Sequence, residues 1–86
     1  MGNESELQKV RVVVMLKAGV LDAQGSTIGR ALTGLGFGAI AAVRVGKVFE
    51  LSIAAPDAAA ARRIAEEASK KLLANPVVES FRIEGP

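Results

Sequence analysis

The chain contains no cysteine, histidine, tyrosine or tryptophan among its 86 residues. Without cysteine there is no disulfide staple and no thiol nucleophile. Without cysteine or histidine the usual zinc donor set is missing, and so is an imidazole base. The serines, Ser5, Ser26, Ser52, Ser69 and Ser80, have no base at a recognisable spacing. Paired carboxylates can do acid–base work, but Glu66 and Glu67 stand beside Lys70 and Lys71 on what reads as a solvated helix face. The aromatic complement is three Phe, too few for the stacking platforms that single-stranded nucleic acid requires. Lys and Arg are scattered among acids, without the basic stripe of a nucleic-acid binder.

Long apolar runs are also absent. None approaches the roughly 20 residues of a membrane span. The opening Met1-Gly2-Asn3-Glu4-Ser5-Glu6 is polar and acidic, unlike a signal peptide. Glu6 occupies the position where N-myristoylation requires Ser or Thr. The lack of cysteine fits a reducing compartment, so the expectation is a soluble cytoplasmic protein with neither a nucleic-acid nor a membrane partner.

What is present is aliphatic. Half of the residues are hydrophobic, and the net charge is only +2. A single domain of this size buries about 60–65% of its unfolded surface. With no covalent staple, that points to self-association as a way to bury more.

Residues 1–8 read as a flexible tail and 9–84 as one domain. Lys9 to Lys17 is strongly β-prone, with Val10, Val12, Val14 and Leu16 on one face and Val13 and Met15 on the other, the pattern of a central strand. Asp22 is a good N-cap, and Ile28, Ala31, Leu32 and Leu35 recur at helical spacing. Gly36 suits the left-handed position past the helix end, with Phe37 folding back onto Leu32. Gly29 and Gly34 inside this helix each cost about 1 kcal/mol relative to alanine, so packing must hold it.

The segment Ala39–Ala54 is predicted to be a β-hairpin around Gly46-Lys47. A two-residue turn would put Val43 and Val45 on the face opposite Phe49, Leu51 and Ile53. A three-residue loop or a bulge at Gly46 keeps all of them on one face and is preferred. Pro56-Asp57 starts a second helix with the stripe Ala61, Ile64, Ala65, Ala68 and Leu72. Asn75-Pro76 ends that helix. A last strand covers 78–84, with Phe81 and Ile83 inward. The order is βαββαβ, so the predicted class is α+β: a ferredoxin-like, four-stranded antiparallel sheet with two helices on one face.

Gly34-Leu35-Gly36-Phe37-Gly38-Ala39 fits a dinucleotide fingerprint, but that motif works after a strand and at a helix N-terminus. Here it follows a helix, so the capping role is preferred. Gly36-Phe37-Gly38 also matches part of an RNA-recognition signature, in which the aromatics lie on central strands. Here the first strand carries none.

Four words are more specific. Leu16-Lys17-Ala18-Gly19-Val20-Leu21-Asp22-Ala23-Gln24-Gly25, Ala31-Leu32-Thr33-Gly34-Leu35-Gly36-Phe37, Val43-Arg44-Val45-Gly46-Lys47 and Leu73-Ala74-Asn75-Pro76-Val77-Val78-Glu79 occur in order. Together they resemble the PurS family, the small subunit of phosphoribosylformylglycinamidine synthase (FGAM synthase) in purine biosynthesis. Ala23 departs from the Pro usual in that family. The resemblance implies a non-catalytic assembly subunit, a homodimer or tetramer that bridges the glutaminase subunit and the large ATP-dependent synthetase subunit and supports ammonia transfer. ATP, Mg and glutamine would be used by those partners, with no cofactor on this chain.

Exposed loop residues are the candidates for such contacts: Lys17, Asp22, Gln24 and Gly25 around the start of the first helix, Arg44, Gly46 and Lys47 at the central segment, and Asn75 and Pro76 after the second helix. Cap, turn and helix-stop roles account for much of the preference at Asp22, Gly46 and Pro76. Lys17, Arg44 and Lys47 show no structural need for charge in the sequence. The βαββαβ order also fits an ACT-like small-molecule-binding regulatory domain, which predicts direct amino-acid binding. A stand-alone RNA binder instead predicts steeply salt-dependent affinity for single strands.

Overall fold

A computed structural model describes residues 6–85. Strand β1 (Glu6–Leu16) is the centre of an antiparallel sheet, flanked by β2 (Gly46–Ala55) and β3 (Glu79–Glu84) in the order β2-β1-β3. Residues Glu6, Leu7 and Gln8, assigned to the tail from sequence, belong to β1. The remainder of that tail, residues 1–5, lies outside the described residues.

The alternation in β1 decides which face is covered. Val10, Val12 and Val14 are fully buried, each contributing about 1.5–3 kcal/mol through its removal from water. Register places Leu51 opposite Val10 and Phe49 opposite Val12 on one side. Ile83 faces Val12 and Phe81 faces Val14 on the other. Helix α2 (Ala58–Ala68) lies across this face and packs on all three strands. Its buried contacts are Ala61 and Ala65, whose small side chains let the helix sit close to the valines. Asp57 caps it by accepting from Ala60 N–H at 2.8 Å.

A five-residue π-helical turn, Ser69–Leu73, continues α2, with Ser69 Oγ donating to Ala65 O at 2.7 Å. One extra residue in a turn rotates everything after it. Leu72, expected in the apolar stripe, is therefore 83% exposed, while Leu73 joins the core. Ile64 also faces outward.

Two expectations fail here. Among the described residues the sheet has three strands, not four, and α2 rather than both helices covers it. Gly46-Lys47 makes no reversal of any kind: Gly46 is opposite Met15 and Lys47 opposite Val14 in the ladder with β1. The hairpin cannot close because its proposed turn is spent as the first two residues of β2. Val43 and Val45 therefore do not reach Phe49 and Leu51 of their own chain.

Helix α1 (Ala23–Gly34) and the segment 35–45 project beyond the sheet instead. The helix ends as its sequence predicts. Phe37 N–H donates to Leu32 O at 2.9 Å and Gly36 N–H to Thr33 O at 3.1 Å, with Gly36 at φ +99°, a Schellman cap. The glycine-rich run is thus a helix C-terminus, with carbonyls rather than N–H groups at its end. Gly25 is the one fully buried residue of α1, and the molecule measures 57 × 27 × 14 Å.

Candidate subunit interface

The chain folds so that one end of the sheet gathers the candidate residues. The end of β1, the starts of β2 and β3 and the start of α1 all meet there. A cavity of about 440 Å³ at this end is lined by Asp22, Gln24, Gly46, Lys47 and Glu79 among others. A neighbouring cavity of about 310 Å³ is lined by Lys17, Pro76, Glu79 and Phe81 among others.

Asp22 is the joint of this rim. One carboxylate oxygen accepts from Gly25 N–H at 2.8 Å, which caps α1. The other accepts from Val45 N–H at 2.8 Å, which pins the chain just before β2. The helix and the segment that follows it are therefore fastened at a single side chain. Gly25 is required beside it, because a Cβ there would stand 2.5 Å from Val43 O and 2.7 Å from Asp22 Oδ2.

The three cations expected to have no structural role each have a partner. Lys17 Nζ donates to Pro76 O at 2.7 Å. The Arg44 guanidinium donates to Leu16 O. Lys47 Nζ lies 3.7 Å from Glu79 Oε2 and 5.8 Å from the centre of the Phe49 ring. Each ties one segment of the rim to another, so their charges hold the rim together as well as facing outward.

Glu79 was not among the site residues expected from sequence. Its second oxygen, Oε1, accepts from Asn75 N–H at 2.7 Å. Asn75 Oδ1 accepts from Val77 N–H at 3.0 Å, and Asn75 O from Glu79 N–H at 2.7 Å. One carboxylate thus links the Asn75-Pro76 loop to Lys47 on β2. The spacing of Glu four residues after Asn, across a proline, was the available signal. All nine expected residues fall on or beside this rim; Gln24 lines the cavity without a hydrogen bond that would explain its type.

The Val45 N–H, then the Gly25 N–H, hold the Asp22 carboxyl below its ordinary value, with a smaller contribution from the Arg44 charge. A lowered folded-state pKa means that the anion stabilises the fold above the ordinary carboxylate value of about 4, and that this is lost as pH falls through the folded value. Asp22→Asn leaves only one acceptor oxygen for two N–H groups. We expect that variant to melt on the order of 5 °C below the parent at neutral pH. The gap should shrink below about pH 4; a gap that is the same at pH 7 and pH 3 would show that the carboxylate is not the fastening.

Comparison with known proteins decides the family. The family model PurS, described as phosphoribosylformylglycinamidine (FGAM) synthase, matches residues 9–86. The chain belongs to the PurS family. The PurS subunit of phosphoribosylformylglycinamidine synthase from Bacillus subtilis is 41% identical over 78 residues, covering 91% of this chain and 92% of that protein. The crystal structure of the PurS subunit from Thermotoga maritima superposes with a TM-score of 0.89 at 30% identity, over 95% of this chain and 94% of that one. A chain of the PurLQS structure from Thermotoga maritima matches with a TM-score of 0.86 at 31% identity, over 93% and 98%. Membership in the PurS family replaces the ACT-like and RNA-binding readings drawn from topology. Among the described residues, no helix is long and apolar enough to cross a membrane.

Proposed function

We propose that this chain is a non-catalytic assembly subunit of FGAM synthase in purine biosynthesis. It bridges the glutaminase and the ATP-dependent synthetase subunits in the cytoplasm and supports the transfer of ammonia between them. Glutamine, ATP and Mg are used by those partners, and this chain carries no cofactor. It works as a homo-oligomer, a dimer or a tetramer.

The observation that carries this reading is the pairing of PurS membership with the PurLQS structure of a similar chain. The geometry supports it in a second way. A rim held by Asp22, Lys17, Arg44, Lys47, Asn75 and Glu79 is an ordered surface built from loops, which suits contact with another folded subunit. Gln24, Gly25, Gly46 and Pro76 complete that surface.

The test is co-assembly. The purified chain is mixed with its cognate glutaminase and synthetase subunits, with glutamine, ADP and magnesium present, and the complex mass is measured by light scattering. A species containing all three chains is expected. Separate peaks at every concentration tried, with no shared mass, would overturn the proposal.

A further inference from the structure

Strand β3 is paired along one side only, because the sheet runs in the order β2-β1-β3. The unpaired side of an edge strand presents N–H and C=O groups that can template another strand. In a chain that associates with other proteins, a six-residue edge of this kind is a route to unwanted addition.

Register shows which groups are at stake. Lys17 N–H donates to Val78 O at 2.8 Å, and the ladder continues in step with Met15 opposite Ser80 and Val13 opposite Arg82. Bonded and non-bonded pairs alternate along an antiparallel ladder. Ser80, Arg82 and Glu84 therefore bond to β1, while Glu79, Phe81, Ile83 and Gly85 direct their backbone groups outward.

Those outward groups are engaged at both ends. At the start of the strand, Glu79 N–H donates to Asn75 O at 2.7 Å. At the far end, Arg62 reaches across from α2. Its Nη1 donates to Gly85 O at 3.0 Å and its Nη2 to Ile83 O at 3.3 Å. Between these two closures, the Phe81 backbone groups and the Ile83 N–H have no partner among the described residues. That remnant is too short to hold an added strand.

The partners that Arg62 takes are informative. Glu66 lies within i,i+4 reach and lines the same cavity of about 290 Å³ as Arg62 and Ile83. Arg62 nevertheless makes no ion pair among the described residues. Its planar fork instead spans two carbonyls two residues apart, which the point charge of a lysine cannot do.

We propose that Arg62 guards the β3 edge. Its guanidinium occupies the two carbonyls that an incoming strand would need and sets a charge over the edge, so association of this chain does not run on through β3. Repeated edge-to-edge addition would build open-ended aggregates instead of a closed assembly. Arg63, the next residue, carries the same charge without these bonds and supplies the control.

The full chain is compared with Arg62→Ala, Arg62→Lys and Arg63→Ala by light scattering over a wide concentration range, below the melting temperature of each. Arg62 is exposed and alanine favours helix, so α2 should still form. Arg62→Ala should at least double its mass over a range in which the parent mass is constant, and Arg62→Lys should grow less. In the enlarged species the Phe81 and Ile83 amides should become protected from hydrogen exchange. Parent mass retained by Arg62→Ala at every concentration would overturn the proposal. Equal growth of Arg63→Ala would trace the effect to lost charge and overturn it too, as would growth that leaves both amides exchanging freely. If the alanine variant does not fold, the lysine variant decides: growth supports the guard, and parent mass overturns it.

Discussion

Inserting Pro-Asp between Val45 and Gly46 should convert the open chain into a compact one. The insertion writes Pro-Asp-Gly between Val45 and Lys47, a three-residue reversal with glycine at the left-handed position. Val45 can then face Lys47, Val43 can face Phe49, and residue 41 can face Leu51, all within one chain and with the apolar side chains on one side. The backbone of 39–45 is then satisfied within the chain, and α1 can fold onto its own sheet. Scattering should show a radius of gyration near 12 Å for the single chain, against 17.1 Å for the open chain. An insertion variant with the extended dimensions of the open chain would mean that the hinge does not choose between open and closed forms.

Replacing Gly46 by valine should have the largest effect on stability of any exposed-site substitution. Gly46 has an ordinary negative φ, since the positive-φ glycines among the described residues are Gly19, Gly36 and Gly85. What it needs is space. A Cβ there would press on Met15 Sδ and stand 2.6 Å from Val14 O. The methionine can move, but the carbonyl belongs to the central strand and is fixed by its ladder. Overpacking of this kind costs about 3 kcal/mol, and for a domain this small that lowers Tm by more than about 10 °C. Gly34→Ala is the control. Nothing lies within 4 Å of its Cβ position, so helix propensity alone should leave it neutral or up to about 1 kcal/mol more stable. Equal melting of the valine variant and the parent would remove the close approach from the account.

These two residues also show what the sequence could and could not convey. Periodicity located every helix and the three paired strands, because Val10-Val12-Val14 and the Ala61-Ala65 spacing report local faces that a single chain fills. The caps at Asp22 and Gly36, and the helix start at Pro56-Asp57, were legible for the same reason: each acts within a few residues of itself. The fourth strand was expected because the pattern of Val43 and Val45 records which side must be apolar, not whether the segment reaches a neighbouring strand. Gly46 reads equally well as a turn and as a close approach, and only its position opposite Met15 separates the two. Leu72 was placed inward because a π-helical turn leaves no mark in a 3.6-residue pattern. At the rim, Lys17, Arg44 and Lys47 looked free because their acceptors, Pro76 O, Leu16 O and Glu79, come from distant parts of the chain. The family words nonetheless converge in space, since all nine residues lie on or beside one rim.

The central claim is that this chain couples two catalytic subunits and does no chemistry itself. Turnover measured with the synthetase and glutaminase subunits, with and without this chain, tests it most directly. The nitrogen source is glutamine in one series and ammonium chloride in the other. The account predicts that omitting the chain abolishes glutamine-dependent amidine formation and largely spares the ammonium-supported reaction. Equal glutamine-dependent rates with and without the chain would contradict it.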